Sequence, residues 1–263
     1  MTGAGAVLTL VLMPWAAGSV AAGAWSQTWG VITRGHFRIV AWCALALAGM
    51  ATFASFAATL GVEGGGSQRM LSLIFLGACA IYVLAQYSQS DPTAATIGYV
   101  AGGVGIIALI ATAGLLDGWP ISISAAGVVI GAGLLGAVTN GMLLGHWYLN
   151  QPGLKPWALE RLTTLGLVVS AGTAALGIVS ASRLIGAPTE GAALGLPGFG
   201  ENLAPAFFFI WLALVTFTAG VIYMARRCVT IRSIQSATGL YYVAILTAGV
   251  AEFLVRYLMV NAA

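Results

Sequence analysis

Residues 122–149 read SISAAGVVIGAGLLGAVTNGMLLGHWYL, and no Asp, Glu, Lys or Arg occurs anywhere between Asp117 and Lys155. Roughly 20 consecutive apolar residues let a helix cross about 30 Å of hydrocarbon, so this run is too long for a core helix and reads as a membrane span. The rest of the chain matches it. Over 263 residues, 60% are hydrophobic and 6% are charged, whereas a soluble domain commits about a quarter of its residues to charge. Strand-length alternation is absent, which argues against a barrel. The expected fold class is all-α, a polytopic membrane protein.

Apolar runs against polar breaks predict eight spans, near residues 4–25, 37–61, 69–89, 95–116, 122–149, 158–182, 204–226 and 236–259. Little chain is left for a soluble domain. The longest break, SRLIGAPTEGAALGLPGFGENLAP, leaves a long loop at about 183–203. Odd-numbered connections carry Arg34, Arg38, Lys155, Arg161, Arg226, Arg227 and Arg232 against Asp91 and Glu160. Even-numbered ones carry Arg69 and Arg183 against Glu63, Asp117, Glu190 and Glu201. The positive-inside rule then puts both termini and the long loop outside a bacterial inner (cytoplasmic) membrane. No basic residue precedes Arg34, so the first apolar run is expected to be a retained helix, not a cleaved signal. No basic patch suggests nucleic acid. Cys43, Cys79 and Cys228 lie far apart without a CxxC pair and read as small packing residues.

The two halves echo each other. IYVLAQYSQSDPTAATIGYVA from Ile81 matches IYMARRCVTIRSIQSATGLYYVA from Ile222, and Gly23-Ala24-Trp25 matches Gly145-His146-Trp147. Residues 1–118 and 119–263 therefore read as two four-helix repeats. An even number of spans in each makes the repeats parallel, about an axis along the membrane normal. Within the fifth span GAGLLG formally fits GxGxxG, but no strand precedes it. Its glycines are better read as close helix packing, since lipid gives helices no hydrophobic reason to associate.

His36 and His146 are the only histidines, and the topology sets both at the cytoplasmic depth, on the second and fifth helices. Two imidazoles at one depth on different helices are what a bis-histidine b-type haem requires, with iron–nitrogen bonds of about 2 Å. Arg34, Arg38 and Arg161 are then candidates for pairing with propionates or quinone carbonyls. Met142, one turn before His146, offers a His/Met alternative. Equally, the histidines fit an interfacial aromatic belt with Trp25, Trp29, Trp147 and Trp157, or a quinone-binding site. In the last helix Glu252 and Arg256 lie four residues apart within apolar sequence. An intramembrane charge suggests a proton-linked or quinone-site role, and a self-neutralising salt bridge explains it as well. Asn140 and Gln86 are expected to face the bundle. No Ser/His/Asp set, phosphate loop or HExxH is present, which leaves no catalytic residue to assign.

The closing stretch GLYYVAILTAGVAEFLVRYLM, residues 239–259, resembles the carboxyl-terminal helix of the polytopic quinol-interacting anchors in the dimethyl-sulfoxide-reductase and polysulfide-reductase group. That resemblance implies a two-bundle anchor exchanging electrons between menaquinol or ubiquinol and a peripheral iron–sulfur partner. Those anchors generally hold no haem of their own. The leading expectation is a non-catalytic membrane subunit of a respiratory or photosynthetic electron-transfer complex. It would hold a b-type haem or a menaquinone or ubiquinone site among lipids, and partner an iron–sulfur or cytochrome subunit. A small-molecule or ion transporter and a structural scaffold are the rivals. If the imidazoles converge on a haem, dithionite reduction gives a sharp α-band that His146→Ala abolishes.

Overall fold

Each span expected from hydropathy corresponds to one long helix in the computed structural model, which describes residues 1–88, 90–151, 153–187 and 203–263, although the sixth, expected to reach 182, ends at Val179. The elements are α1 (Gly3–Gln27), α2 (Arg34–Thr59), α3 (Gly65–Ala85), α4 (Asp91–Ala113), α5 (Ile121–Trp147), α6 (Trp157–Val179), α7 (Ala181–Ile185), α8 (Ala204–Thr230) and α9 (Ile234–Asn261). All but the short α7 are long and apolar enough to cross a membrane, and the chain is a polytopic membrane protein. Most of the long loop expected at about 183–203 lies outside the described residues.

Helix ends depart from the apolar runs where polar residues start or stop a helix. The fourth starts at Asp91, four residues before the run begins, because the Ser90 hydroxyl accepts from the Thr93 amide and Pro92 occupies the first turn. Pro14 lies within α1 without ending it.

Neighbouring helices form two rings. The first is α1, α2, α3 and α4, each against the next, with α4 returning to α1. The second, α5, α6, α8 and α9, closes in the same order. The two meet chiefly along α1 and α5, flanked on one side by α4 against α5 and on the other by α1 against α9. Side-chain environments follow this pattern only in part. Ala24 lies against Gly98 of α4, and its counterpart His146 likewise faces the fourth helix of its own ring, at Tyr242 of α9. Tyr82 is buried, however, whereas Tyr223 is exposed.

The α1/α5 seam brings two backbones together. A Cβ on Gly18 would meet the Ala132 carbonyl, and one on Gly136 would meet the Gly18 carbonyl. Hydrogen bonds cross the seam from Trp15 Nε1 to Thr139 Oγ1 at 2.7 Å and from Asn140 Nδ2 to the Ser19 carbonyl at 3.1 Å. Gln86 also faces inward, exchanging two 3.1 Å bonds with Gln27 of α1. The outward faces are apolar instead: Phe53 is 81% and Leu84 71% exposed, as suits a surface bathed in lipid.

The bundle has two chemically distinct ends. At one, the Met1 amine donates to the Leu115 carbonyl at 2.9 Å and lies 3.6 Å from Asp117, while Trp119 Nε1 donates to the Met259 carbonyl at 3.0 Å. We call this the terminal end. The opposite, basic end holds Arg34, Arg38, Arg161 and Arg226, the first joined to Asp91 at 2.5 Å. Of the cysteines, Cys79 is buried, Cys228 half-buried and Cys43 exposed, and all three are free thiols.

Overpacking a core costs about 1–3 kcal/mol when neighbours can shift, and backbone carbonyls shift least. Gly136→Ala should therefore destabilise by about 3 kcal/mol in detergent unfolding. Gly103→Ala, where a Cβ meets nothing within 4 Å, should be neutral or stabilising by up to about 1 kcal/mol.

Candidate functional site

Both histidines lie at the basic end, but their side chains take different directions. His36, 1% exposed, sits 5.0 Å from the Phe37 ring and 6.3 Å from the Trp147 ring, centroid to centroid. Its Nε2 has no hydrogen-bond partner among the described residues. His146 is exposed and shares a 3.3 Å hydrogen bond between its Nδ1 and the Tyr242 hydroxyl. Successive helical residues are about 100° apart around the axis, so α5 turns Trp147, not His146, toward α2. The Trp147 indole donates to Thr33 Oγ1 at 3.0 Å and lies over Gly35, where a Cβ would overlap the ring.

A bis-histidine haem needs two nitrogens aimed at one iron from opposite faces of the macrocycle. The expected pairing of His36 with His146 does not have that geometry: one imidazole is enclosed beside an indole and the other faces outward at α9. Met142 is half-buried, one turn before His146 on the same face of the same helix, and two such ligands cannot approach an iron from opposite sides. The His/Met alternative fails for that reason.

The three candidate arginines also part company. Arg34 is held by Asp91. Arg38 donates to the Gln86 carbonyl at 3.3 Å and stacks over the Tyr87 ring at 4.8 Å. Arg161 lies 4.4 Å from the Trp157 ring centroid and 5.5 Å from that of Trp29, and makes no ion pair among the described residues. Its neighbour Glu160 lies instead 3.6 Å from Arg226. Arg161 is thus an exposed, uncompensated cation held on two aromatic faces.

Arg161 stands at the mouth of a groove between α1 and α6. The mouth, about 480 Å³, is lined by Trp25, Trp157, Glu160, Arg161 and Thr164. From it, past the shared Trp25 and Leu165, an apolar channel of about 280 Å³ runs over Ala17, Gly18, Ala21 and Gly133. Small side chains at the α1/α5 crossing leave this channel open, so the glycines that bring the helices together also shape it. One end is cationic and aromatic and the remainder apolar, the polarity an amphipathic molecule requires.

Glu252 and Arg256 form the second polar feature, nearer the terminal end. They are 1% and 2% exposed, and Arg256 Nη2 meets Glu252 Oε2 at 2.5 Å. The same Nη2 donates to the Gly127 carbonyl at 2.9 Å, and Nη1 lies 3.1 Å from Met259 Sδ. A Cβ on Gly131 would overlap both charged groups. Gly131 therefore makes room for the pair, a role its place in an apolar helix does not distinguish from ordinary packing. Sequence reasoning also missed Thr173, Trp211 and the small residues of the groove. Nothing in their local sequence separates them from neighbouring Thr, Trp and Ala; only the rotation of each helix does.

Trp147→Ala should lower stability by about 2 kcal/mol in thermal unfolding, since it removes a half-buried ring packed on Gly35 and a hydrogen bond. His146→Ala, at an exposed position, should change stability by no more than about 0.5 kcal/mol. Equal effects would mean that the two side chains share one environment. Comparison with protein-family models, curated proteins and solved structures gives no match for this chain.

Proposed function

We propose that this chain is an integral membrane subunit of a respiratory or photosynthetic electron-transfer complex, and that it holds an isoprenoid quinone, menaquinone or ubiquinone, in the groove between α1 and α6. The observation that carries the reading is Arg161: with Glu160 committed to Arg226, it is an unneutralised donor at the head of an apolar channel. A guanidinium bonds a carbonyl or phenolate oxygen more strongly than a neutral donor does, and the small residues of α1 provide the width that a prenyl tail needs. Trp25 and Trp157 flank the head position, and Trp29 and Trp157 hold the guanidinium on their faces.

A quinone bound there supplies two-electron, two-proton carrier chemistry. The chain's own contribution is placement: Arg161 fixes the head, and the α1/α5 seam fixes the tail. Electron exchange with anything soluble then falls to partner subunits of the iron–sulfur or cytochrome type. The resemblance of the closing helix to quinol-interacting anchors supports this reading.

Titration of the purified protein with a short-chain ubiquinone should quench tryptophan fluorescence saturably through Trp25, Trp29 and Trp157. Arg161→Ala should weaken binding about 10-fold, equivalent to about 1.4 kcal/mol. Leu165→Trp, which fills the channel, should weaken binding of long-tailed quinones more than short ones. Quenching that is absent, or unchanged in both variants, would sink the proposal and favour a lipid-filled scaffold groove.

A further inference from the structure

The Glu252–Arg256 pair is only half satisfied by protein. Glu252 Oε1 and Arg256 Nε are buried without a hydrogen-bond partner among the described residues, and so are Trp211 Nε1 and Thr173 Oγ1. These are four of the ten such side-chain atoms in the described residues, and all four belong to residues lining one cavity inside the second ring. Thr173 stands out on its own helix. Ser170, three residues earlier, returns its hydroxyl to the Gly166 carbonyl at 2.7 Å, as buried Ser and Thr in helices commonly do. Gly177 makes room for Trp211, whose ring a Cβ there would overlap.

An ion pair in hydrocarbon is stable only when its remaining lone pairs and protons are also met. Here the cavity must meet them. It presents two obligate donors, the Arg256 and Trp211 N–H groups, one obligate acceptor, Glu252 Oε1, and a hydroxyl able to do either. Water accepts from the first two and donates to the third. The centre of a water molecule has about 30 Å³ in which to move, room for a few waters on the basis that one needs about 10–15 Å³. Ser180, Leu184, Trp119 and Met259, all buried, cover the side toward the terminal end.

We propose that this cavity is a hydrated proton-binding site, in which water reaching in from the terminal end delivers a proton to Glu252 Oε1 and removes it again. Uptake forms one O–H bond on Glu252 and breaks one on the donating hydronium. Arg256 stays cationic, held by Gly127 and Met259, so the site passes from neutral to singly positive. No other charged side chain among the described residues faces the carboxylate. α5 presents Gly127 and Gly131, and α8 presents Trp211. Arg183 of α7 is turned to the Gly118 carbonyl and the Trp119 ring. Asp117 is exposed beside the Met1 amine.

The test is nuclear magnetic resonance of indole N–H groups in nanodiscs, assigned through Trp211→Phe and Trp119→Phe. The Trp211 N–H should exchange with deuterated solvent at least about 10-fold faster than that of Trp119, which is bonded to the Met259 carbonyl. Thr173→Val, which removes one water partner, should slow that exchange. Across a pH series the Trp211 resonance should shift with a single inflection that Glu252→Gln abolishes, while an unchanged melting temperature shows that the variant is folded. Exchange at Trp211 as slow as at Trp119, no inflection, or an inflection that survives Glu252→Gln would each overturn the proposal. Arg161→Ala should leave all of this unchanged, which keeps the test separate from that of the quinone groove.

Discussion

The close approach of α1 and α5 is the constraint on which the other contacts depend. In lipid, helices gain nothing by hiding apolar surface from their neighbours, so packing and hydrogen bonds must hold them together. At Gly18, Ala132 and Gly136 two backbones come near enough that not even a methyl group fits between them. The Trp15–Thr139 and Asn140–Ser19 bonds fix the register of that crossing. The two rings of helices are then hung on opposite sides of one seam, and both the groove over Ala17 and Ala21 and the housing of the charge pair follow from where the seam puts α5.

Polar groups were apportioned to match. Gln27 and Gln86 satisfy one another, and Thr9, Thr52 and Thr112 return their hydroxyls to their own helices, whereas Ser19 Oγ and Asn140 Oδ1 at the seam have no partner among the described residues. Against that background an unmet polar atom is conspicuous. Several occur singly, such as His36 Nε2, but the second ring gathers four around one cavity. The two polar features thus differ in kind: the groove at Arg161 opens sideways toward lipid, and the cavity at Glu252 lies inside a ring.

The number and order of helices were legible because hydropathy and helix length are properties of a local window. Boundaries such as the start of α4 depended on Ser90 and Pro92, which an apolar count ignores. Depth was legible too, and both histidines do share an end of the bundle. Azimuth was not. One residue separates His146 from Trp147, yet α5 is apolar on every side and carries no stripe to show which of them turns toward α2. The same blindness hid Thr173 and Trp211. Glu252 and Arg256 were found because charge in hydrocarbon is rare and their four-residue spacing puts them on one face; Gly131, which accommodates them, was visible only once α5 was set against α9.

That spacing also has an electrical meaning. Two opposite unit charges whose groups meet at 2.5 Å form a short dipole, and a uniform transmembrane field exerts no net force on it. A lone charge crossing the whole bilayer feels about 2.3 kcal/mol per 100 mV. A compensated pair feels only the small fraction set by its own separation. With Glu252 ionised, the last span therefore carries two formal charges at depth while remaining nearly indifferent to membrane potential, which frees α9 to stay still when the field changes.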